Sequence, residues 1–507
     1  MATDVVSQAL IDAAYDGRVA DAAALIADGV DGVSHLVRGA HYGKHPMVSV
    51  LLAAGVDVDA TRKDLFMKTA LWTAAHSGHA DVVATLLTAN ASVDKPNENG
   101  DTPLHAACQS GHVEVVAQLL AAKASVAHHS TMGRAPLHVA AGHGYTDVVT
   151  TLLAANAKVN DIGMPDGITP LYMACQEGRA AIVAQLLAAN ATANTATCEY
   201  RFTPLHIAVQ LGNTEIASLL LSANAAVDPV STTGATPLLL ACQHGRTEIA
   251  KALLASGAAV EQTNNQGATP MTLACLNGRL AIVQLLSSYG ARRTFTFAQT
   301  GARDTAENVA ATGGHHDVVV WLIKSRLWST ALHHLEFLTP ERALALLRAG
   351  ADIHAAAEPG GPTPLSRARE LEAAGGATEG TAAFLVLEAA KSWSRKTHRL
   401  FPAPARARVT DLMLIAELLS REERFAAYGP QAVVDAWMVF VVPRAVSRNR
   451  VQIVGLKGRP ELNGQEGTCG ELVEAKGRYP VSLEDDVRAV LIKMANLMVV
   501  GDGAAEQ

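Results

Sequence analysis

Aromatic residues, excess basic charge and long apolar runs are all scarce in this chain of 507 residues. Phe, Trp and Tyr make up 4% of it while hydrophobic residues make up 49%, so Ala, Leu and Val dominate, as in closely packed helices. A net charge of -7 argues against non-specific nucleic-acid binding, which needs a basic surface. No apolar run approaches the ~20 residues of a membrane span. The start, MATDVVSQ, lacks a secretion-signal pattern, so we expect a soluble, cytoplasmic protein.

The chain is too long for one hydrophobic core, which usually stops growing at about 250–300 residues. An internal period indicates an extended array instead. Glycines that follow an apolar helix recur 33 to 36 residues apart, at Gly78, Gly111, Gly144, Gly178, Gly212, Gly245, Gly278 and Gly314. Nine residues before each glycine lies a start signal, which reads in chain order TALW, TPLH, APLH, TPLY, TPLH, TPLL, TPMT and TAEN.

This pattern resembles the ankyrin repeat, a β-turn followed by two helices in roughly 33 residues. The resemblance implies a mainly α fold, an ankyrin-repeat solenoid of about twelve repeats over residues 4–391. The clear repeats cover 68–326 and degenerate repeats lie at both ends. End repeats depart from the consensus because each must face water on one side.

The recurring residues suit the turns and caps that such a repeat requires. Thr begins most of the first helices as the N-cap, and Pro usually occupies the first helical position, where its missing N–H costs nothing. After the second helix the chain needs a left-handed residue. Gly or Asn is predicted to provide it at Gly55, Gly257, Gly290, Gly350, Asn90, Asn156, Asn190 and Asn224. Lys123 occupies the same position and should cost stability.

The cysteines and histidines are interpreted as parts of the repeat rather than as chemistry. Four thiols occupy one repeat position, at Cys108, Cys175, Cys242 and Cys275, too far apart to form disulfides or share a metal. In the family that TPLH resembles, its histidine binds loop backbone, which implies that role for His105, His138 and His206. No phosphate-binding, hydrolase, zinc-protease or kinase motif is present. We therefore expect no catalytic residue, no cofactor and no metal.

Composition changes after the repeats. Residues 392–409 are basic and contain Pro402 and Pro404, which predicts an extended linker. That linker is a solvated connector, a docking peptide or a nuclear-import signal, and the basic segment 391–408 leaves nuclear localisation open. Residues 410–443 are predicted to form a helical segment that stops near Pro443.

From residue 447 to 500 the hydrophobic period is two, which predicts short strands with Gly turns. The segment GLKGRPELNGQEG resembles those of small SH3-like β-barrels, which implies a small all-β module. Relatives of such barrels bind peptides or nucleic acid. The many acidic residues here make nucleic acid unlikely as a partner, and a structural capping module is the alternative.

Ankyrin arrays bind proteins through their hairpin tips and the solvent side of the first helices, so residues that the repeat does not dictate are candidates for partner binding. At the tips these are Phe66, Lys68, Asn99, Met132, Arg134, Ile168, Tyr200 and Phe202. At the first-helix ends they are His76, Gln109, His143, Gln176, Glu177, Gln210, Leu211, Gln243 and His244. The alternative is that Phe202 and Ile168 pack against their own hairpins.

The sequence therefore predicts a non-enzymatic, monomeric scaffold or adaptor that binds a protein partner on its concave ankyrin surface. One alternative is a substrate-recognition subunit of a ubiquitin ligase, docked through the helical segment 410–443. A second is a tail module, residues 444–500, with an enzymatic or nucleic-acid-binding role.

Overall fold

The computed structural model describes residues 2–61, 66–296 and 303–390, and five short strands between residues 450 and 499. The chain divides into two compact units. The first comprises residues 1–283 and 291–319, and the second comprises residues 284–290 and 320–507. The predicted linker and the predicted helical segment 410–443 lie outside the described residues, so the domain boundaries there stay predictions.

Short helices in antiparallel pairs build the repeats. The degenerate front repeats hold α1 (Ala2–Tyr15), α2 (Val19–Ala27), α3 (Gly32–His41) and α4 (His45–Ala53). The first helices that follow are α5 (Ala70–Ser77), α7 (Pro103–Ser110), α9 (Pro136–His143), α11 (Pro170–Gln176), α13 (Pro204–Leu211), α15 (Pro237–His244), α17 (Pro270–Leu276) and α19 (Ala306–Thr312). Their second helices are α6 (Ala80–Thr88), α8 (Val113–Ala121), α10 (Thr146–Ala154), α12 (Ala180–Ala188), α14 (Thr214–Ser222), α16 (Thr247–Ala255), α18 (Leu280–Ser288) and α20 (His316–Lys324).

Two further helix pairs follow in the second unit. In the first of them a single 3-10 turn, Ala331–His333, takes the place of the first helix and precedes α21 (Pro340–Arg348). The other pair is α22 (Pro364–Ala373) and α23 (Ala382–Ala390). Leu332, Leu347, Leu365 and Val386 belong to one buried cluster that these elements share.

The predicted Thr caps are confirmed at six first helices, whereas the Thr102 hydroxyl pairs with His105 Nδ1 at 2.8 Å instead. The Thr69 hydroxyl accepts a hydrogen bond from Trp72 N at 3.0 Å, and Thr169, Thr203, Thr236, Thr269 and Thr305 cap their helices in the same way. Every Gly and Asn expected to be left-handed after a second helix has a positive φ. Lys123 is left-handed too, with φ 67°, so the repeat imposes this backbone on a residue that disfavours it.

Within the first unit the core is a stack, because the first helices from α3 to α19 contact one another in turn and the second helices from α2 to α16 do the same. From α3 to α16 each repeat contributes a fully buried leucine from its first helix, such as Leu104, and another from its second helix, such as Leu119. Burying such a side chain contributes roughly 1.5–3 kcal/mol. One repeat alone would leave these side chains exposed to water, so the repeats are stable only as a stack.

Strands are few in the described part of the chain. β1 (Thr294–Thr296) and β2 (Arg303–Thr305) form an antiparallel hairpin before α19. Near the C-terminus an antiparallel sheet has the order β6-β5-β4-β3-β7. Its members are β3 (Arg450–Ile453), β4 (Glu466–Cys469), β5 (Tyr479–Leu483), β6 (Val490–Ile492) and β7 (Leu497–Val499). Closure into an SH3-like barrel is not shown, because no pairing joins β6 to β7 among the described strands.

In the part of the chain that the structure describes, no helix is both long enough and apolar enough to cross a bilayer.

Candidate protein-binding face

Hairpin tips and first-helix ends of the first unit form one continuous surface, which we call the inner face. It spans the tips from Phe66 to Gln266 and the exposed ends of α5 to α15. Backbone hydrogen bonds join five of the six pairs of successive tips, and no such bond joins the described residues of the tips at Met132 and Met164. Glu98 N donates to Phe66 O at 3.1 Å, Thr131 N to Asn99 O at 2.9 Å, Cys198 N to Asp166 O at 2.9 Å, Thr232 N to Tyr200 O at 3.1 Å and Asn265 N to Thr233 O at 3.1 Å. These bonds fix the spacing of the tip side chains.

Histidines at the repeat starts tie the tips to the helices, as the TPLH motif implied. His105 Nε2 donates to Arg134 O at 2.9 Å, and its Nδ1 accepts from Thr102 N at 3.2 Å. His138 and His206 bind the carbonyls of Ile168 and Ala235 in the same way. Burial lowers the pKa of all three imidazoles, that of His105 to about 4. They therefore stay neutral at physiological pH, and their role is to hold the hairpin tips against the helices.

The predicted partner-binding residues all retain some solvent exposure. Those classed as exposed are Phe66, Asn99, Gln109, Met132, His143, Gln176, Glu177, Tyr200, Gln210, Leu211 and Gln243. Those that are half-buried are Lys68, His76, Arg134, Ile168, Phe202 and His244. Whether any of them contacts a partner stays a prediction.

At the N-terminal end of the inner face, four side chains form a column. Lys68 Nζ lies 5.6 Å from the ring centre of Phe66 and 4.4 Å from that of Trp72, and the Trp72 ring stacks on His76 at 5.2 Å. Burial, followed by the nearby charges of Lys68, His112 and His41, lowers the pKa of His76. The sequence reasoning missed Trp72, although it occupies the position that histidine holds in TPLH.

In the middle of the inner face, aromatic rings surround the start of α13. The Tyr200 and Phe202 ring centres are 6.2 Å apart, and Phe202 stacks on His206 at 5.1 Å. Phe202 thus packs partly against the first helix of its own repeat. Tyr200 is 54% exposed and Leu211, at the other end of α13, is 46% exposed, so both apolar side chains face solvent.

The sequence reasoning also missed Met164, which is 62% exposed in the long hairpin before α11. It follows Met132, 61% exposed, in the preceding hairpin, and Gly133 lies against the backbone of Met164. The signal was available in the segment GMPDGITP, whose hairpin is one residue longer than the preceding one.

The thiols belong to the core rather than to this face. Cys108, Cys175, Cys242 and Cys275 are buried, and burial raises the pKa of each thiol, that of Cys275 to about 12. Cys198 is exposed in a hairpin tip. Within the described residues, no group of three or more His, Cys, Asp or Glu side chains could hold a metal ion.

Comparison with protein families agrees with this architecture. The family model described as "Ankyrin repeats (3 copies)" matches residues 36–130, 90–162, 137–232 and 224–297, which together exceed half of the chain. The chain belongs to the ankyrin-repeat family. Its repeats accordingly form a protein–protein interaction domain.

One similar solved structure is the crystal structure of the human ASB11 ankyrin repeat domain. The two sequences are 29% identical, and the alignment covers 44% of this ankyrin-repeat chain and 98% of the ASB11 chain. The two structures superpose with a TM-score of 0.40. Among proteins of curated function, none matches the sequence.

Proposed function

We propose that this ankyrin-repeat protein is a non-enzymatic adaptor that binds a segment of a partner protein on its inner face. The observation that carries the proposal is the row of hairpin tips, most of them joined by backbone hydrogen bonds, which presents exposed side chains that the repeat does not require. A rigid surface of this kind loses little conformational entropy on binding. Exposed aromatic and large apolar residues such as Tyr200 are the usual anchors of protein interfaces.

The position of the reactive side chains supports an adaptor over an enzyme. The repeat-start histidines are buried and bonded to backbone carbonyls, and the four core thiols have raised pKa values. What the inner face exposes instead is a row of neutral amides, Gln109, Gln176, Gln210 and Gln243, at one repeat position. Such amides donate to and accept from peptide backbone.

Affinity capture with quantitative mass spectrometry tests the proposal, using the full chain throughout. The double variant Tyr200→Glu, Leu211→Glu places two charges in the middle of the inner face. The matched control Ser218→Glu places one charge at an exposed position of α14, the second helix of the same repeat. We expect partners of the wild type to fall at least tenfold with the double variant and to be retained by the control. Equal capture by all three proteins would contradict the proposal.

The ligase alternative and the tail-module alternative stay predictions, since the helical segment 410–443 lies outside the described residues. For the C-terminal strands we propose the SH3-like barrel. Its support is the strand order, in which β3 to β6 follow one another in the sheet and β7 returns beside β3.

A further inference from the structure

The eighth helix pair, α15 and α16, departs from the TPLH framework at one residue. Its start reads TPLL, so Leu239 occupies the position of His105, His138 and His206. In the preceding repeat, His206 Nε2 donates to Ala235 O at 3.1 Å, and Ala235 O also accepts from Ser231 N at 3.0 Å. Leucine has no N–H to donate. The corresponding carbonyl, Ala268 O, keeps its bond from Asn264 N at 3.1 Å but has no histidine to hold it against the helix.

A pocket of about 420 Å³ opens at this point of the inner face, between the hairpin tips and the helices α15 and α17. Its apolar floor includes Leu239, Leu240 and Leu273, and the Phe202 ring lines it as well. Polar amides, among them Gln243 and Gln266, complete the lining. The volume lies within the roughly 300–1,000 Å³ typical of ligand pockets.

The walls of the pocket are held by their own hydrogen bonds. Asn265 Nδ2 donates to Thr232 O at 3.0 Å, and this bond joins the two hairpin tips. Asn264 Oδ1 accepts from Gln266 N at 3.0 Å and from Ala268 N at 2.9 Å, which shapes the second tip. The side-chain amides of Gln243 and Gln266, in contrast, have no hydrogen-bond partner among the described residues. They are therefore available to a ligand.

The lining determines which chemistry fits. None of its eleven residues carries a charge, so it offers no counter-ion to an acidic, basic or phosphorylated group. Placing such a group on the leucine floor would cost several kcal/mol of desolvation without compensation. A large apolar side chain would exclude water from the floor, and the two free glutamine amides could bind the peptide groups on either side of it.

We propose that this pocket, named here the Leu239 pocket, is the anchor site of the partner segment. The segment is uncharged where it crosses the pocket, and it inserts one large apolar side chain, aliphatic or aromatic, between the tip of residues 232–235 and the tip of residues 264–266. The proposal rests on the proposed function and adds the chemistry of the bound segment.

The test uses a displayed library of random twelve-residue peptides, selected on the full chain. Leu239→His restores the family residue, places a polar ring on the floor and gives Ala268 O its second donor, so the variant should fold as the TPLH repeats do. Leu239→Met is the matched control, because it keeps the floor apolar at nearly the same volume. Gln243→Glu with Gln266→Glu, both at exposed positions, charges the rim without touching the core. Circular dichroism and thermal unfolding establish that each variant is folded.

We expect selected peptides to share one Leu, Ile, Met, Phe or Trp flanked by uncharged residues. They should bind wild type and Leu239→Met alike, and bind Leu239→His and the double glutamate variant at least tenfold more weakly. A charged consensus, equal binding to all four proteins, or no enrichment would overturn the Leu239 pocket. If the selected peptides lose binding to the Tyr200→Glu, Leu211→Glu variant but still bind both pocket variants, this inference is overturned and the proposed function stands. Equal binding to every variant, including Tyr200→Glu, Leu211→Glu, would count against both the Leu239 pocket and the proposed function.

Discussion

At the scale of single residues, the fourth position of the TPLH motif either stabilises the repeat, when it is histidine, or borders a pocket, as Leu239 does. His105 satisfies two backbone groups, Thr102 N and Arg134 O, and so closes its repeat. Leu239 at the same position satisfies neither of the corresponding groups, and a pocket lies beside it. Ala268 O keeps one hydrogen bond, from Asn264 N, so leucine loses only the additional bonds that histidine provides, and histidine is the more stabilising residue at this position.

The buried histidines predict how stability depends on pH. Burial lowers the pKa of folded His105 to about 4 from an ordinary value of 6.5. Between these values the unfolded chain binds a proton that the folded chain does not, so the stability contributed at neutral pH is lost as pH falls from about 6.5 towards 4. We expect the urea concentration at the midpoint of unfolding to decrease as pH falls through this range.

The variant His105→Leu isolates the contribution of that histidine. It should lower stability at pH 7.5 by about 1–2 kcal/mol, because two backbone hydrogen bonds are lost. It should also make the decrease between pH 6.5 and pH 4 shallower than in the wild type. Urea unfolding of both proteins over this range measures the two slopes, and an unchanged slope would contradict the assigned role.

At the scale of elements, the hairpin tips couple one repeat to the next. Gly133 illustrates this, with φ 68° and no room for a side chain, since a Cβ there would overlap the Met164 carbonyl oxygen. Gly257, after the second helix α16, has a similar φ of 90° but nothing within 4 Å of an added Cβ. The two glycines therefore separate the cost of the backbone conformation from the cost of tip contact.

We expect Gly257→Ala to lower the free energy of unfolding by about 1 kcal/mol, the cost of a left-handed L-residue. Gly133→Ala should lower it by that amount and a further ~1–3 kcal/mol, because the next hairpin must move. Chemical denaturation of the two variants measures the difference. Equal losses would mean that the tips are not in close contact.

Much of the element level could be predicted from the sequence, because the repeat places the same residue types at the same structural positions. Most of the Thr caps, the left-handed Gly and Asn residues and the buried thiols followed from the repeat spacing, and the histidine bonds followed from the resemblance to the ankyrin family. The Leu239 pocket could not be predicted in this way. It depends on the distance between two hairpins and the helices beneath them. That distance is set by packing between neighbouring repeats, which the sequence of one repeat does not determine. Met164 was missed for a similar reason, since its exposure depends on the neighbouring tip.

At the scale of the whole first unit, stability is the sum of contacts between neighbouring repeats. Such a stack keeps its frame while its exposed positions vary, so the frame identifies the family and the exposed positions determine the partner. The inner face and the Leu239 pocket consist of such variable exposed positions. The central claim is therefore that partner contact is confined to the inner face.

Site-specific photo-crosslinking tests this claim most directly. A photoreactive amino acid is placed at Gln210, the exposed end of α13 on the inner face, and in a separate protein at Ser218, exposed on α14 of the same repeat. The account predicts that the Gln210 probe crosslinks the partner recovered by affinity capture, through an uncharged apolar segment, and that the Ser218 probe does not. Crosslinking of that partner from Ser218 with none from Gln210 would place the binding surface on the second helices and contradict the account.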